Sequence, residues 1–283
     1  MEAQEDVRNT ACGHKRKQVF IYGNYKNYYG YRIDQNQRED PRLAVMKKGW
    51  FEGKDCLDIG CNQGLITIEI AKKFFCRSIL GIDIDADGSN YSKHKVSQAS
   101  DGETFHIQHD ASSLSEGTLF ERVTFRKENF VGSMDKCSEK YDTILCLSVT
   151  KWIHLNWGDD GLITMFVKIW RLLRPGGILL LEPQPWSSYK KNRLVSETAR
   201  VNYNEITLHP GEFRDILLDK VGFRSAEPWV AHFNTRVPSL HQHHQHPFDK
   251  SKTDNVEEIG SLTVGDHLKF DIDKSHMDWL TNA

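Results

Sequence analysis

The chain has 283 residues, of which 39% are hydrophobic and 27% charged, and its formal net charge is −2. This composition is typical of a globular protein and excludes both a largely disordered chain and a uniformly basic nucleic-acid-binding polypeptide. No apolar run approaches the roughly 18 residues of a membrane span, so we expect a soluble intracellular protein without a membrane partner.

The six cysteines give no metal-binding pattern. None of them forms a Cys-x-x-Cys pair, so no metal site is predicted. Cys56 and Cys146 stand inside apolar runs and are predicted to be buried thiols, which fits a reducing compartment.

Three segments differ in character along the chain. Residues 1–17 are polar and predict a disordered leader, whereas residues 18–237 carry the alternating apolar segments of a folded domain. Residues 238–283 begin with a histidine-rich run at 241–246 and predict a divergent, poorly ordered tail. A solvated, compositionally biased tract explains that run better than a metal site does.

After an aromatic segment at 19–32, strands and helices alternate along the domain. The predicted strands are 55–59, 78–84, 123–125, 141–147, 178–182 and 225–233, and the predicted helices are 65–75, 162–173 and 210–221. Nearly continuous apolar strands that alternate with helices predict an α/β fold, in which a mainly parallel sheet has helices on both faces. Ligands of such sheets bind at the carboxyl ends of the strands.

The strongest local signal is LDIGCNQG at 57–64, a glycine turn between the first strand and the first helix. Such a turn lets a ligand approach the backbone, and the positive end of the following helix faces that ligand. Asp83 ends the second strand, where a carboxylate can accept both ribose hydroxyls of an adenosine. An ordinary tight turn and a solvated aspartate are the alternatives. A nicotinamide enzyme would share both features, but the G-x-G-x-x-G spacing is absent.

Three longer blocks are more specific than the glycine turn. They read YGNYKNYYGYR at 22–32, LCLSVTKWIHLNWGDDGL at 145–162 and LLLEPQPWSSYKK at 179–191. Together with the glycine turn, the GIDID strand end and the RPGG turn, they resemble the methylphosphate capping enzymes, the bicoid-interacting-protein-3-like RNA 5′-phosphate methyltransferases. The resemblance covers residues 19–230. It implies a class I methyltransferase Rossmann-like fold with S-adenosyl-L-methionine as the methyl donor.

The resemblance also implies a set of donor contacts. Arg42 would pair with the carboxylate of the methionine part, although a surface arginine is the alternative. Tyr28 would contact the same part, or would be a packing aromatic. The implied cofactor-binding residues are Tyr28, Arg42, Gly60, Cys61, Asn62, Asp83, Ile84, Asn129, Phe130 and Leu147.

The acceptor site is expected after the fourth and fifth strands. A terminal phosphate has a second pKa of about 6, so its oxygen is already anionic near neutral pH and needs charge neutralisation rather than a strong base. Lys151, His154 and Asn156 are the candidate catalytic residues, with a structural loop as the alternative. The candidate RNA contacts are Tyr25, Tyr29, Arg32, Gln184, Trp186, Tyr189 and Lys190, of which Lys190 has a solvated helix start as its alternative.

The function that the resemblance implies is methylation of the 5′-terminal γ-phosphate of a small non-coding RNA such as 7SK or U6. It further implies ribonucleoprotein proteins as partners and a nuclear location, with the cytoplasm as a second compartment. Alternatives are a 5′-monophosphate RNA methyltransferase, a methyltransferase of a small molecule or protein, and a non-catalytic RNA-binding protein with the same fold. One departure from the family pattern bears on activity. The usual last strand, with its R-P-hydrophobic run, is missing after residue 237, and residues 268–272 could replace it although they carry no matching motif.

Overall fold

A computed structural model of the chain describes residues 20–23, 40–85, 95–96, 104–108, 121–133, 139–229 and 267–274. These residues contain a nine-stranded sheet with the strand order β3-β4-β5-β2-β1-β6-β7-β9-β8. Within the same ranges, no helix is both long enough and apolar enough to cross a membrane.

The strands divide into a parallel centre and two antiparallel edges. Strands β5, β2, β1, β6 and β7 run parallel, whereas β3 and β4 at one edge and β9 and β8 at the other pair antiparallel. The strands are β1 Asp55–Ile59, β2 Ser78–Asp83, β3 Lys95–Val96, β4 Thr104–Gln108, β5 Val123–Lys127, β6 Tyr141–Leu147, β7 Leu173–Glu182, β8 Ser225–Pro228 and β9 Leu268–Asp271.

Among the described residues, six α-helices accompany the strands, and two of them connect parallel neighbours, from β1 to β2 and from β6 to β7. They are α1 Pro41–Val45, α2 Leu65–Phe74, α3 Thr150–Leu172, α4 Trp186–Asn192, α5 Glu197–Glu205 and α6 Phe213–Ile216. Short 3₁₀ turns occupy Lys48–Trp50 and Pro210–Glu212, and α6 continues as a π-helical turn over Leu217–Val221.

The apolar strands are buried on both faces of the sheet. Consecutive residues of β1 point to opposite sides, so Cys56 packs with α1 and α2 while Leu57 packs with α3 and α6. Cys56 and Cys146 are buried and free, as predicted. The predicted α/β, Rossmann-like architecture with a mainly parallel sheet is confirmed.

Helix α3 is much longer than the helix predicted at 162–173. It begins at Thr150, directly after β6, and is interrupted at Gly158, whose φ of 65° and ψ of −165° are not helical. These angles fall in a region that only glycine occupies readily. The polar, glycine-containing stretch before residue 162 therefore forms a separate first segment of the helix instead of a loop.

Strand β9 lies inside the sheet although residue 237 is the predicted end of the domain. It pairs with β7 through Leu181 and Leu268 and with β8 through Pro228 and Leu268. The buried side chains of Leu268, Phe270 and Ile272 join the core on the α3 side. Residues 268–272, the candidate replacement for the missing last strand, therefore complete this edge of the sheet.

Candidate active site

A cavity of about 880 Å³, including its open mouth, lies at the carboxyl ends of the central strands. The predicted donor contacts that lie at its wall are Arg42, Gly60, Cys61, Asn62, Asp83, Ile84, Asn129, Phe130 and Leu147. Tyr28 lies outside the described residues. Other wall residues, which the sequence analysis did not select, include Tyr22, Asp58, Glu128, Ser148, Trp152 and Trp157. Asp58 and Ser148 lie at or beside the carboxyl ends of β1 and β6, and this position could have identified them as cavity residues.

The glycine turn forms the floor of this cavity. Gly60 has a φ of +71°, and the backbone N–H groups of Gly60 and Cys61 donate to the Ile82 carbonyl at 2.8 and 3.0 Å. A Cβ atom on Gly60 would lie only 2.4 Å from Val149 Cγ2. The turn therefore leaves backbone exposed to a ligand where any side chain would collide with the start of α3.

Asp83 is held at the edge of the floor by two backbone donors. Its carboxylate accepts hydrogen bonds from the N–H groups of Asn62 and Asp85, each at 3.0 Å. Burial raises the pKa of Asp83, because desolvation disfavours the charged form. The position suits a bidentate contact with the hydroxyls of a ribose, since the remaining lone pairs of the carboxylate are acceptors.

Two buried charged groups, Asp58 and Arg42, define the other end of the cavity. The Asp58 carboxylate accepts a 2.6 Å hydrogen bond from Thr67 Oγ1, and burial raises its pKa to about 6. Arg42 donates from Nε and Nη2 to Asp40 at 2.9 and 2.8 Å, and from Nη1 to Glu182 at 3.3 Å. This end is therefore the charged part of the cavity.

An aromatic lip lies at the mouth of the cavity, on the side of α3. We use this name for Tyr22, Trp152 and Trp157, of which Tyr22 and Trp157 stack with ring centroids 6.0 Å apart. Asn156 Nδ2 donates to the Ile21 carbonyl at 2.9 Å. The observed role of Asn156, a predicted catalytic residue, is thus to fasten the 20–23 segment to α3.

Lys151 and His154, the other two predicted catalytic residues, do not line the described cavity. The first segment of α3 presents Val149, Trp152 and Ile153 to the cavity, and helical spacing turns positions 151 and 154 away. The prediction rests on the closeness of these residues in sequence and assigns no helix to the stretch.

Both side chains instead make buried contacts behind the lip. Lys151 Nζ donates to Ser188 Oγ at 2.7 Å and to Asn192 Oδ1 at 2.8 Å, and burial lowers its pKa to about 7. The His154 ring nitrogens lie 2.6 Å from Asp159 Oδ1 and 3.3 Å from the Tyr189 hydroxyl. Burial also lowers the pKa of His154.

The predicted RNA contacts divide into buried and exposed side chains. Tyr189 is fully buried against His154, so it presents no ring face for base stacking and that assignment is corrected. Gln184 Oε1 accepts from the Lys151 backbone N–H at 3.0 Å and so caps α3. Trp186 is half-buried on Tyr203, and Lys190 is exposed. Tyr25, Tyr29 and Arg32 lie outside the described residues.

The cavity fits S-adenosylmethionine in each of its parts. Phe130 and Ile84 offer apolar contact to an adenine, Asp83 lies at the ribose position, and the backbone at Gly60 leaves room for the linking atoms. Arg42 and Asp58 form the charged end that an amino-acid group requires. The fold and this cavity define a class I S-adenosylmethionine-dependent methyltransferase.

Comparison with known proteins identifies the family. The profile of bicoid-interacting protein 3 (Bin3) matches residues 141–239, and a methyltransferase-domain profile matches residues 57–179. A probable RNA methyltransferase of Arabidopsis thaliana is 53% identical in an alignment of 245 positions that covers 75% of this chain and 76% of that protein. The chain belongs to the Bin3 family of methyltransferases.

Two further relatives are capping enzymes. The U6 snRNA methylphosphate capping enzyme Amus of Drosophila melanogaster is 42% identical, over 72% of this chain and 67% of that protein. The 7SK snRNA methylphosphate capping enzyme of Homo sapiens is 38% identical, over 80% of this chain but only 39% of that protein. The chain thus spans about two fifths of the human relative.

Proposed function

We propose that this methyltransferase transfers a methyl group from S-adenosylmethionine to the 5′-terminal γ-phosphate of a small non-coding RNA. The observation that carries the proposal is the arrangement at the mouth of the cavity. There an aromatic lip and the amino-terminal end of α3 meet beside the donor site. The relatives that act as capping enzymes for 7SK and U6 snRNA support the same substrate class.

The surroundings of the mouth favour an anionic acceptor. The first turn of α3 contributes Val149 and Trp152 to the wall, and the positive end of the helix dipole lies there. Lys151 is not part of the cavity wall, but its Nζ stands 4.4 Å from the centroid of the Trp152 ring, which belongs to that wall. A bound phosphate would favour the protonated form of this lysine, whose pKa burial lowers to about 7.

The aromatic lip suits the nucleotide that carries this phosphate. Tyr22 and Trp157 are half-buried and offer ring faces on which a base at an RNA end can stack, and such stacking is insensitive to sequence, whereas Trp152 is buried beside them. Trp186 with the exposed Lys190 extends the aromatic and basic character along α4. A small-molecule or protein acceptor would not require this combination.

The methyl transfer requires the protein only to neutralise the charge of the phosphate and to orient it. S-adenosylmethionine supplies a methyl group on a positively charged sulfur, which leaves as a neutral thioether. A phosphate oxygen is already an anion at neutral pH, so no side chain has to remove a proton from it. The residues at the mouth need only hold that oxygen in line with the methyl group and exclude water.

Strand β9 bears on the alternative of a non-catalytic RNA-binding protein. That alternative rests on the absence of the usual last strand of the sheet. Because β9 pairs with β7 beside the donor site, the described sheet has a strand at that position. The missing family motif at this position therefore gives no reason to expect an inactive protein.

The test is a transfer assay with labelled donor and one RNA prepared with three different 5′ ends. We expect label on the triphosphate-ended RNA, little label on the monophosphate-ended RNA and none on the RNA with a 5′-hydroxyl. Preferred labelling of the monophosphate would favour the 5′-monophosphate alternative. Equal labelling of all three ends, or RNA binding without transfer, would refute the proposal.

We further propose that the chain acts in the nucleus and meets ribonucleoprotein proteins there. The support is that its capping relatives are named for small nuclear RNAs. Microscopy of a tagged full-length chain is expected to show nuclear signal, and a purely cytoplasmic signal would contradict this part of the proposal.

A further inference from the structure

A buried cluster joins strand β9 to the charged end of the donor cavity. Its centre is Glu182, the last residue of β7, which is 5% exposed. Glu182 Oε2 lies 3.3 Å from Arg42 Nη1 and 3.3 Å from His267 Nε2, and Glu182 Oε1 accepts a hydrogen bond from Ser148 Oγ. Arg42 and Ser148 line the donor cavity, whereas His267 belongs to the carboxyl-terminal part of the chain.

The sheet register sets this contact. Leu268 pairs with Leu181 of β7, so the preceding residue, His267, lies next to Glu182. The imidazole also packs edge-on against Trp229, with ring centroids 5.0 Å apart, and the His267 carbonyl accepts from the Trp229 N–H at 2.8 Å. The position of His267 is therefore fixed on both sides, by Glu182 and by Trp229.

The electrostatics of the charged end explain why such a contact matters. Arg42 lies between two carboxylates, those of Asp40 and Glu182, and it also interacts electrostatically with the carboxylate of Asp58. An incoming carboxylate group would meet three acids and one arginine. The contact with His267 Nε2 and the hydrogen bond from Ser148 offset part of the negative charge of Glu182, which leaves the arginine more attractive to an anion.

We propose that His267 is a positioning residue for the amino-acid end of the methyl donor. It acts through Glu182, which it holds in a geometry that lets Arg42 receive the donor carboxylate. The inference rests on donor binding in the cavity and is independent of the RNA end proposed above. It assigns to β9 a part in the donor site in addition to its place in the sheet.

The test compares two ligands that differ in the amino-acid end. S-adenosylhomocysteine carries the carboxylate, whereas 5′-deoxy-5′-methylthioadenosine has the same nucleoside without it. Calorimetric titration of the full chain would use His267→Phe, which retains a ring against Trp229 but removes both nitrogens. His267→Gln retains a donor, and Lys269→Met is the matched control, since Lys269 lies in the same strand and pairs with Glu227 and Asp271.

We expect His267→Phe to lower the affinity for S-adenosylhomocysteine about tenfold, which is within the range of coupling energies between residues of one interacting network. Its affinity for methylthioadenosine should stay within about twofold of wild type, and His267→Gln should restore most of the loss. An equal loss of affinity for both ligands would show that the role of His267 is merely structural and would overturn the inference. An unchanged affinity for S-adenosylhomocysteine would overturn it as well. Absence of binding to the wild-type chain would instead refute the donor site itself.

Discussion

Asp83 is the residue on which donor recognition depends most. Its buried carboxylate already accepts two backbone hydrogen bonds and has lone pairs left for a ribose. Replacement by alanine should remove charge-assisted hydrogen bonds worth about 1.5–3 kcal/mol, so Asp83→Ala should bind S-adenosylhomocysteine roughly 10- to 100-fold more weakly in calorimetry. Asp215→Ala, which removes an exposed carboxylate from α6, should change little. Wild-type affinity in a folded Asp83→Ala protein would contradict the assignment.

Lys151 should give the stability of the protein a distinctive pH dependence. Burial lowers its pKa from 10.5 to about 7, so between these values the unfolded chain holds a proton that the folded protein has released. Stability contributed by this site must therefore rise with pH across that window, by at most ~1.4 kcal/mol per pH unit.

Lys151→Met removes this titration and serves as the comparison. Urea unfolding at several pH values should show the free energy of unfolding of the wild type rising, relative to the variant, from about pH 7 to about pH 10. Parallel profiles for the two proteins would show that the lysine is not held in its neutral form in the folded state.

The break in α3 is the element whose backbone is most unusual. Gly158 has a φ of 65° and a ψ of −165°, and it separates the segment that carries Trp152 and Trp157 from the rest of the helix. Gly158→Ala should cost about 1–3 kcal/mol of unfolding free energy, because a Cβ atom disfavours these angles. Gly49→Ala is a matched control, since nothing lies within 4 Å of its added Cβ. Equal effects of the two substitutions would refute strain at Gly158.

The parallel elements could be predicted because their signals are local. Apolar runs mark β1, β2 and β6, and the carboxyl-end rule then places Gly60, Asp83 and Leu147 around one cavity. The start of α3 was missed because polar residues and a glycine obscure its helical period. Without that helix, the sequence does not show that Lys151 and His154 lie outside the wall of the described cavity.

Long-range contacts could not be predicted from local patterns. Residues 268–272 could be named as a candidate strand, but their pairing with β7 joins segments far apart in sequence, and no local pattern gives its register. The contact of Glu182 with Arg42 and His267 depends on that pairing, so neither Glu182 nor His267 was selected. Prediction of such partners requires the register of the sheet, which a single sequence does not contain.

At the scale of the whole molecule, a net charge of −2 means that RNA must be attracted by local basic groups. Lys190 is exposed on α4, near the aromatic pair of Trp186 and Tyr203. Lys190→Glu should weaken binding of triphosphate-ended RNA and reduce the salt slope of the affinity by about 1. Lys220→Glu makes the same change in the π-helical turn, away from α4, and should have a much smaller effect. Identical salt slopes would contradict an RNA path along α4.

The central claim is that one methyl group passes from S-adenosylmethionine to the terminal phosphate of an RNA. The most direct measurement is mass spectrometry of the 5′-terminal nucleotide, released by nuclease digestion after reaction of triphosphate-ended RNA with the full chain. The account predicts a nucleoside triphosphate one methyl group heavier, with the added mass on the γ-phosphate, and much less of this product from Asp83→Ala when the donor is limiting. A methyl group on the base or the ribose of that nucleotide would contradict it.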